Sequence, residues 1–359
     1  MKCIKSLLAV AVIIIGTHLS YCQLLVRPQA IPLDLSKNLV TIEGERTAVK
    51  KELTQKITEL VGRKDFLGLE KLADNLRKSK VETSDGTREL LTFYRILTLE
   101  WTDTDETSDA AYKARLDVLK SWVDSKPAST TAQISLARFY KNYAWYARGL
   151  GFANTVNDEG WRLFAERLKL AKETLEAAKK LDVKCPVWWD TMQYVALGES
   201  WDLASYNKLF NSAVAFDSSY TFFYNNKVMY LLPRWFGQEG DWQKFATESA
   251  DKIGGEAGDI LYARIGWRIH ERGIYEGFLR DSGYSWPRLK NGLEAIIKKY
   301  PNSLTVASEL AFLAYQSKDR ECAQPLFERI DQKVDFEIWQ NDNARFLRAR
   351  TWSLWRPQK

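Results

Sequence analysis

From Gly44 onward, apolar residues recur at three- and four-residue spacing, the period of an amphipathic helix. The spacing predicts helices over 47–60, 65–78, 87–99 and 110–123. No stretch alternates apolar and polar residues long enough to predict a strand. Five later helices each carry an apolar or small triple at i, i+4, i+7, which lies along one helix face. These are Ala171/Leu175/Ala178, Tyr206/Phe210/Ala213, Trp242/Ala246/Ser249, Leu289/Leu293/Ile296 and Ala323/Phe327/Ile330, at offsets of 35, 36, 47 and 34 residues. The long offset holds an irregular insert, 273–285.

A period near 34 is that of tetratricopeptide hairpins. Pro301 ends the fourth unit, because it has no N–H to continue a helix. The unit over 304–335 fits best, with Ala307, Leu310, Ala311 and Ala314 on its first helix. The expected fold class is therefore all-α, a tetratricopeptide-like helical-hairpin solenoid. A last helix over 335–355 closes the stack with a wetter outer face.

The N-terminus reads differently. Lys2 and Lys5, an 11-residue apolar run over 6–16, and Ser20-Tyr21-Cys22 have the layout of a signal peptide over 1–22. The run is too short to span a bilayer. Tyr21 disfavours a lipoprotein acylated on Cys22. Residues 23–43, with Pro28 and Pro32, read as an extended leader, and 44–359 as the helical-repeat domain. A periplasmic or secreted location is expected, without stable membrane insertion after cleavage.

Composition supports this picture. Hydrophobic residues are 45% of the chain, enough to bury a core, while 19 Gly and 9 Pro are too few for a turn-rich β-sandwich. The formal charge is +6, and removing Lys2 and Lys5 leaves 50 basic and 46 acidic residues. So weak an excess does not suggest nucleic acid as a partner. Cys185 and Cys322 fall several helices apart, farther than a disulfide reaches, and are expected as separate buried thiols.

Short motifs carry a family resemblance. Phe66-Leu67-Gly68-Leu69-Glu70-Lys71-Leu72-Ala73, Tyr146-Ala147-Arg148-Gly149, Gly151-Phe152-Ala153 and Glu159-Gly160-Trp161-Arg162-Leu163-Phe164 come first. Tyr230-Leu231-Leu232-Pro233-Arg234-Trp235, Gly240-Asp241-Trp242, Tyr262-Ala263-Arg264-Ile265 and Ser285-Trp286-Pro287 follow. Together, from about residue 60 to 340, they resemble the bacterial domain-of-unknown-function family 4034, whose members resemble tetratricopeptide proteins. The resemblance implies a helical-repeat fold and no assigned activity.

Catalytic constellations are sparse. His18 and His270 are the two histidines, and His18 lies in the signal peptide. One His cannot supply a metal pair, and neither a zinc motif nor a phosphate loop occurs. No catalytic residue, metal or cofactor is assigned. Glu159, Asp190, Glu199, Asp202 and Asp241 lie near aromatics, so the alternative is a cell-wall carbohydrate-active enzyme with an acidic pair beside Trp161 or Trp242. The Arg345/Arg348/Arg350 helix could instead serve assembly, although cations also complement a helix C-terminus.

Fourteen Trp are the one compositional oddity. Most read as core wedges between small seam residues. Loops 148–158 and 233–240 are longer than a hairpin solenoid needs. The expected ligand-binding residues there are Trp145, Arg148, Asn154, Trp161, Arg234 and Trp235, since rings suit sugar faces and Arg suits carboxylates. The expected function is an exported, non-enzymatic protein that binds a protein, peptide or glycan on its concave face.

Overall fold

A computed structural model describes residues 39–100, 108–149, 151–181, 185–335, 337–339 and 342–355. The predicted signal peptide and residues 23–38 of the leader lie outside them. In chain order the elements are β1 (Val40–Ile42), α1 (Glu45–Gly62), α2 (Phe66–Ser79), α3 (Glu89–Leu97), α4 (Asp109–Ser125), α5 (Thr130–Arg148), α6 (Asp158–Lys179), α7 (Pro186–Gly198) and α8 (Leu203–Phe216). Then come α9 (Thr221–Tyr230), α10 (Asp241–Ile253), α11 (Gly255–Glu271), α12 (Phe278–Asp281), α13 (Trp286–Lys299), α14 (Leu304–Gln316), α15 (Arg320–Ile330), β2 (Lys333–Asp335) and α16 (Asn343–Leu354). The hairpins are α5/α6, α7/α8, α9/α10, α11/α13 and α14/α15, and their second helices are the ones that carry the repeated triples.

Burial divides the two helices of each hairpin. The second helices bury one stripe, such as Phe164, Leu168, Ala171, Leu175 and Ala178 on α6, and expose the rest. The first helices are buried almost all round: every residue of α9 and nearly every one over 131–144 of α5 is inside. A helix buried on every face lies inside the body, and an amphipathic one lies outside. The solenoid therefore has an inner layer of α5, α7, α9, α11 and α14 wrapped by α6, α8, α10, α13 and α15. In the third triple Ser249 is only half-buried, and Ala250 takes the buried place. Gly292 permits the tightest of these contacts, because a Cβ there would stand 2.0 Å from the Asp259 carbonyl oxygen on α11.

The superhelix curls far enough to meet itself. Strand β1 pairs in parallel with β2, joining the end of the leader to the last repeat. The two strands were not predicted, since three residues are too few to reveal alternation. Arg46 reaches Glu271 at 3.4 Å and Glu337 at 3.6 Å. In the loop before α3, Glu82 accepts from Arg264 at 3.2 Å, Lys299 at 2.9 Å and Tyr300 Oη at 2.9 Å. Arg88 pairs with Asp217 at 2.8 Å. The last helix begins at Asn343 rather than at 335, because β2 uses those residues for the closure. The insert 273–285 packs inward, with Phe278 and Tyr284 buried.

Closure leaves polar groups inside. Arg138 is 0% exposed and is held by Asp190, by Glu100 at 2.7 Å and by Thr191 at 3.2 Å. Asn226 donates to Asp190 at 2.9 Å, and Lys141 to Glu100 at 3.1 Å. Burial alone would raise the Glu100 carboxyl, yet Arg138, Lys141 and Arg95 hold it well below the usual range. Cys185 and Cys322 are separate buried thiols as expected, and burial pushes Cys322 up to about 12.

Two substitutions test this interior. Asp190→Ala removes one of the two carboxylates that hold the buried Arg138 guanidinium and is expected to cost about 3 kcal/mol, read as a lower urea midpoint. Lys227 Nζ has no hydrogen-bond partner among the described residues; it stands over the Tyr206 and Tyr230 rings at 4.8 and 4.7 Å. Burial lowers its pKa to about 8, so the unfolded chain binds more protons from there up to the usual lysine value. The penalty is thus full below that window and relieved above it. Lys227→Met should raise Tm by a few degrees at neutral pH, with a smaller gain above about pH 10.

Candidate functional site

Four of the six expected residues come together around one guanidinium. Trp145 and Arg148 lie in the last turn of α5, Trp161 in the first turn of α6, and Trp235 just beyond α9. The Arg148 Cζ is 5.5 Å from the Trp145 ring centroid, 5.5 Å from Trp161 and 5.6 Å from Trp235. Trp145 meets Trp235 edge to face at 5.7 Å and Phe164 at 5.0 Å, which braces the cage against the hydrophobic core. Such a setting holds a cation by the ring quadrupoles while leaving part of it open.

The backbone sets this arrangement. Asn157 caps α6 by accepting from the Gly160 N–H at 2.7 Å. A Cβ at Gly160 would approach the Ala147 carbonyl oxygen to 2.9 Å, so glycine lets α6 start against the end of α5. Trp161 is thereby brought beside Arg148. The guanidinium in turn donates Nη1 to the Gly149 and Gly151 carbonyls, both at 3.1 Å. A cation at a helix C-terminus also complements the exposed carbonyl ends.

Arg234 is exposed and close enough to act electrostatically on Arg148. Burial and then Arg234 lower the Arg148 pKa; burial and then Arg272, at the end of α11, lower that of Arg234. Among the described residues none of these three arginines has a carboxylate within ion-pair distance. They form a line of unneutralised positive charge across the C-terminal ends of α5, α9 and α11. Asn154 stands exposed on a short helical turn, 153–155, and no hydrogen bond or ring contact joins it to the others among the described residues.

Arg138, Asp190 and Asn226 are buried between the inner helices, and the cage sits where α5 and α9 of that layer end. Phe152, 80% exposed in the loop beside Arg148, and Arg272 were not among the expected residues. Phe152 was legible in its Gly151-Phe152-Ala153 motif, whereas Arg272 joins only through the curl.

The candidate acids have other partners. Glu159 is bridged to Arg162 at 2.8 Å, Asp190 belongs to the interior network, and Glu199 receives Lys172 at 2.9 Å and Trp201 at 2.8 Å. Asp202 caps α8, and Asp241 accepts from the Gln238 N–H at 2.7 Å. Trp242 is fully buried with its N–H on Tyr275 Oη. His270 is buried against Trp267 and Phe312, and burial lowers it to about 4. A second set of acids, Glu271, Asp85, Glu337 and Glu309, surrounds Arg46, and burial with Glu271 and Asp85 raises Glu309 well above the usual range. Among the described residues no cluster of His, Cys, Asp and Glu has the form of a metal site.

Residues 53–184 match the family described as Domain of unknown function (DUF4034). Over this stretch the chain is similar to that family. Trp145, Arg148, Asn154 and Trp161 lie within it; Arg234 and Trp235, which complete the cage, come from beyond it. The motifs from Tyr230 onward, expected to continue the resemblance, also fall outside the matched residues. No curated protein and no solved structure matches the chain. The cage is thus built where the matched stretch meets the hairpins that follow.

Trp161 and Trp235 should respond differently to truncation. Trp235 is half-buried and packs against the core, so Trp235→Ala is expected to cost about 3 kcal/mol. Trp161 is 38% exposed, and Trp161→Ala should cost no more than about 1 kcal/mol. Chemical denaturation of the two variants reads the difference.

Proposed function

We propose that this protein is an exported, non-enzymatic helical-repeat protein that holds a carboxylate-bearing partner, an acidic peptide segment or an acidic glycan, at the mouth formed by Trp145, Arg148, Trp161, Arg234 and Trp235. One observation carries the reading: Arg148 stands among three tryptophan rings, with Arg234 and Arg272 beyond it and, among the described residues, no carboxylate paired to any of them. Arginine offers a planar pair of donors that suits a carboxylate. The adjoining Trp161 ring and the exposed Phe152 supply flat apolar surface for a sugar face or a peptide side chain. The signal-like residues 1–22 support export. The carbohydrate-enzyme alternative has weaker support, since Glu159 is engaged by Arg162 and Trp242 is fully buried.

Poly-L-glutamate and polygalacturonate, titrated against intrinsic tryptophan fluorescence, test the reading. At least one polymer should bind at low salt, and the affinity should fall as salt rises. The double variant Arg148→Ala/Trp161→Ala should weaken that binding at least about ten-fold while its circular dichroism is unchanged. Absence of binding by both polymers, or equal affinity in the folded double variant, refutes it.

A further inference from the structure

A second cleft, of about 660 Å³, opens at the seam where the loop before α3 meets α9, α10, α11 and α13. Its lining is of two kinds. Lys80 and Arg88 from the loop before α3, Lys299 from the end of α13 and Arg264 from α11 are cationic; Ile253 of α10 and Ala257, Ile260 and Leu261 of α11 are apolar. The arginines are more than nine-tenths buried and the lysines largely exposed, so guanidinium groups form the floor and ammonium groups the rim. Val81 and Ile253 belong to the few large apolar side chains that remain exposed, and both line this cleft.

The charges do not cancel. Glu82 is shared by Arg264 and Lys299, and Asp217 by Arg88 and Lys80, the latter at 3.7 Å. Four cations thus face two carboxylates. An anion seated in the cleft would balance the excess positive charge. The apolar part of the lining asks for the opposite chemistry on the same molecule. The volume is that of an ordinary small-molecule site.

We propose that this cleft binds a single-chain amphiphilic anion, its carboxylate or phosphate head on the cations Arg88, Arg264 and Lys299 and its aliphatic chain along Ile253 and Ile260. The site is independent of the aromatic cage. The ligand bridges the early loop and the later hairpins, so binding stabilises the closed superhelix.

Isothermal titration calorimetry with decanoate and with decyl phosphate is the test, and it also distinguishes the two heads. One-site binding of either is expected, together with a rise in Tm on adding it. Acetate, inorganic phosphate, decanol and decyltrimethylammonium should each bind at least about ten-fold more weakly. Lys299→Glu and Ile260→Asp change the cationic and the apolar part of the lining, both at partly exposed positions, and each should weaken binding about ten-fold or more. Should Ile260→Asp lose its helical signal, Ile253→Asp, at the exposed end of α10, probes the same apolar part. No binding of either amphiphile, equal binding of the cationic one, or unchanged affinity in the folded variants overturns the proposal.

Discussion

The buried pairing of Arg138 with Asp190 and Glu100 is the constraint around which the rest is arranged. It ties α5 to α7 and to the turn after α3, and Asn226 extends it to α9. Ions taken out of water need near-complete compensation from partners. Here the partners come from four elements far apart in the chain, so they meet only if the superhelix curls to one radius. An apolar interior would tolerate sliding of one hairpin over the next. This one tolerates far less, because each hydrogen bond has a direction. The cage at the mouth inherits that precision, since Trp145 and Arg148 continue the same helix that carries Arg138 and Lys141.

Much of the architecture was legible in the chain. The recurring triples identify the outer helices, whose single buried stripe is what a helical period records. Residues such as Tyr206, Leu293 and Phe327 occupy the seam as their spacing required. The inner helices were harder to read. They bury Arg138, Asp190, Asn226 and Lys227 alongside apolar neighbours, so polarity along them says little about what faces solvent. The closure was illegible for another reason: Glu82, Arg264 and Lys299 come from separate hairpins, and no local pattern announces a contact of that separation.

The candidate site shows the same division. Trp145, Arg148 and Trp161 lie within one helix–loop–helix and were found from composition and loop length. Trp235 sits in a second loop that is longer than a hairpin needs, and nothing local in the sequence pairs the two loops. Arg272 was missed, and Asn154 was expected but makes no contact with the cage. A residue type can suggest chemistry, but convergence depends on superhelical pitch. That pitch follows from small choices such as Gly160 and Gly292, which let backbones approach where a methyl group would not fit.

The contact of Glu82 with the later hairpins has a thermodynamic consequence. An open repeat array can melt from either end, one unit at a time, because each unit feels only its neighbours. Here the first units are fastened to the last, so no terminal unit is free to fray alone. Loss of one seam removes support from all of them. A body of this kind unfolds as a ring that is opened, in a single concerted event, rather than as a ladder shortened rung by rung.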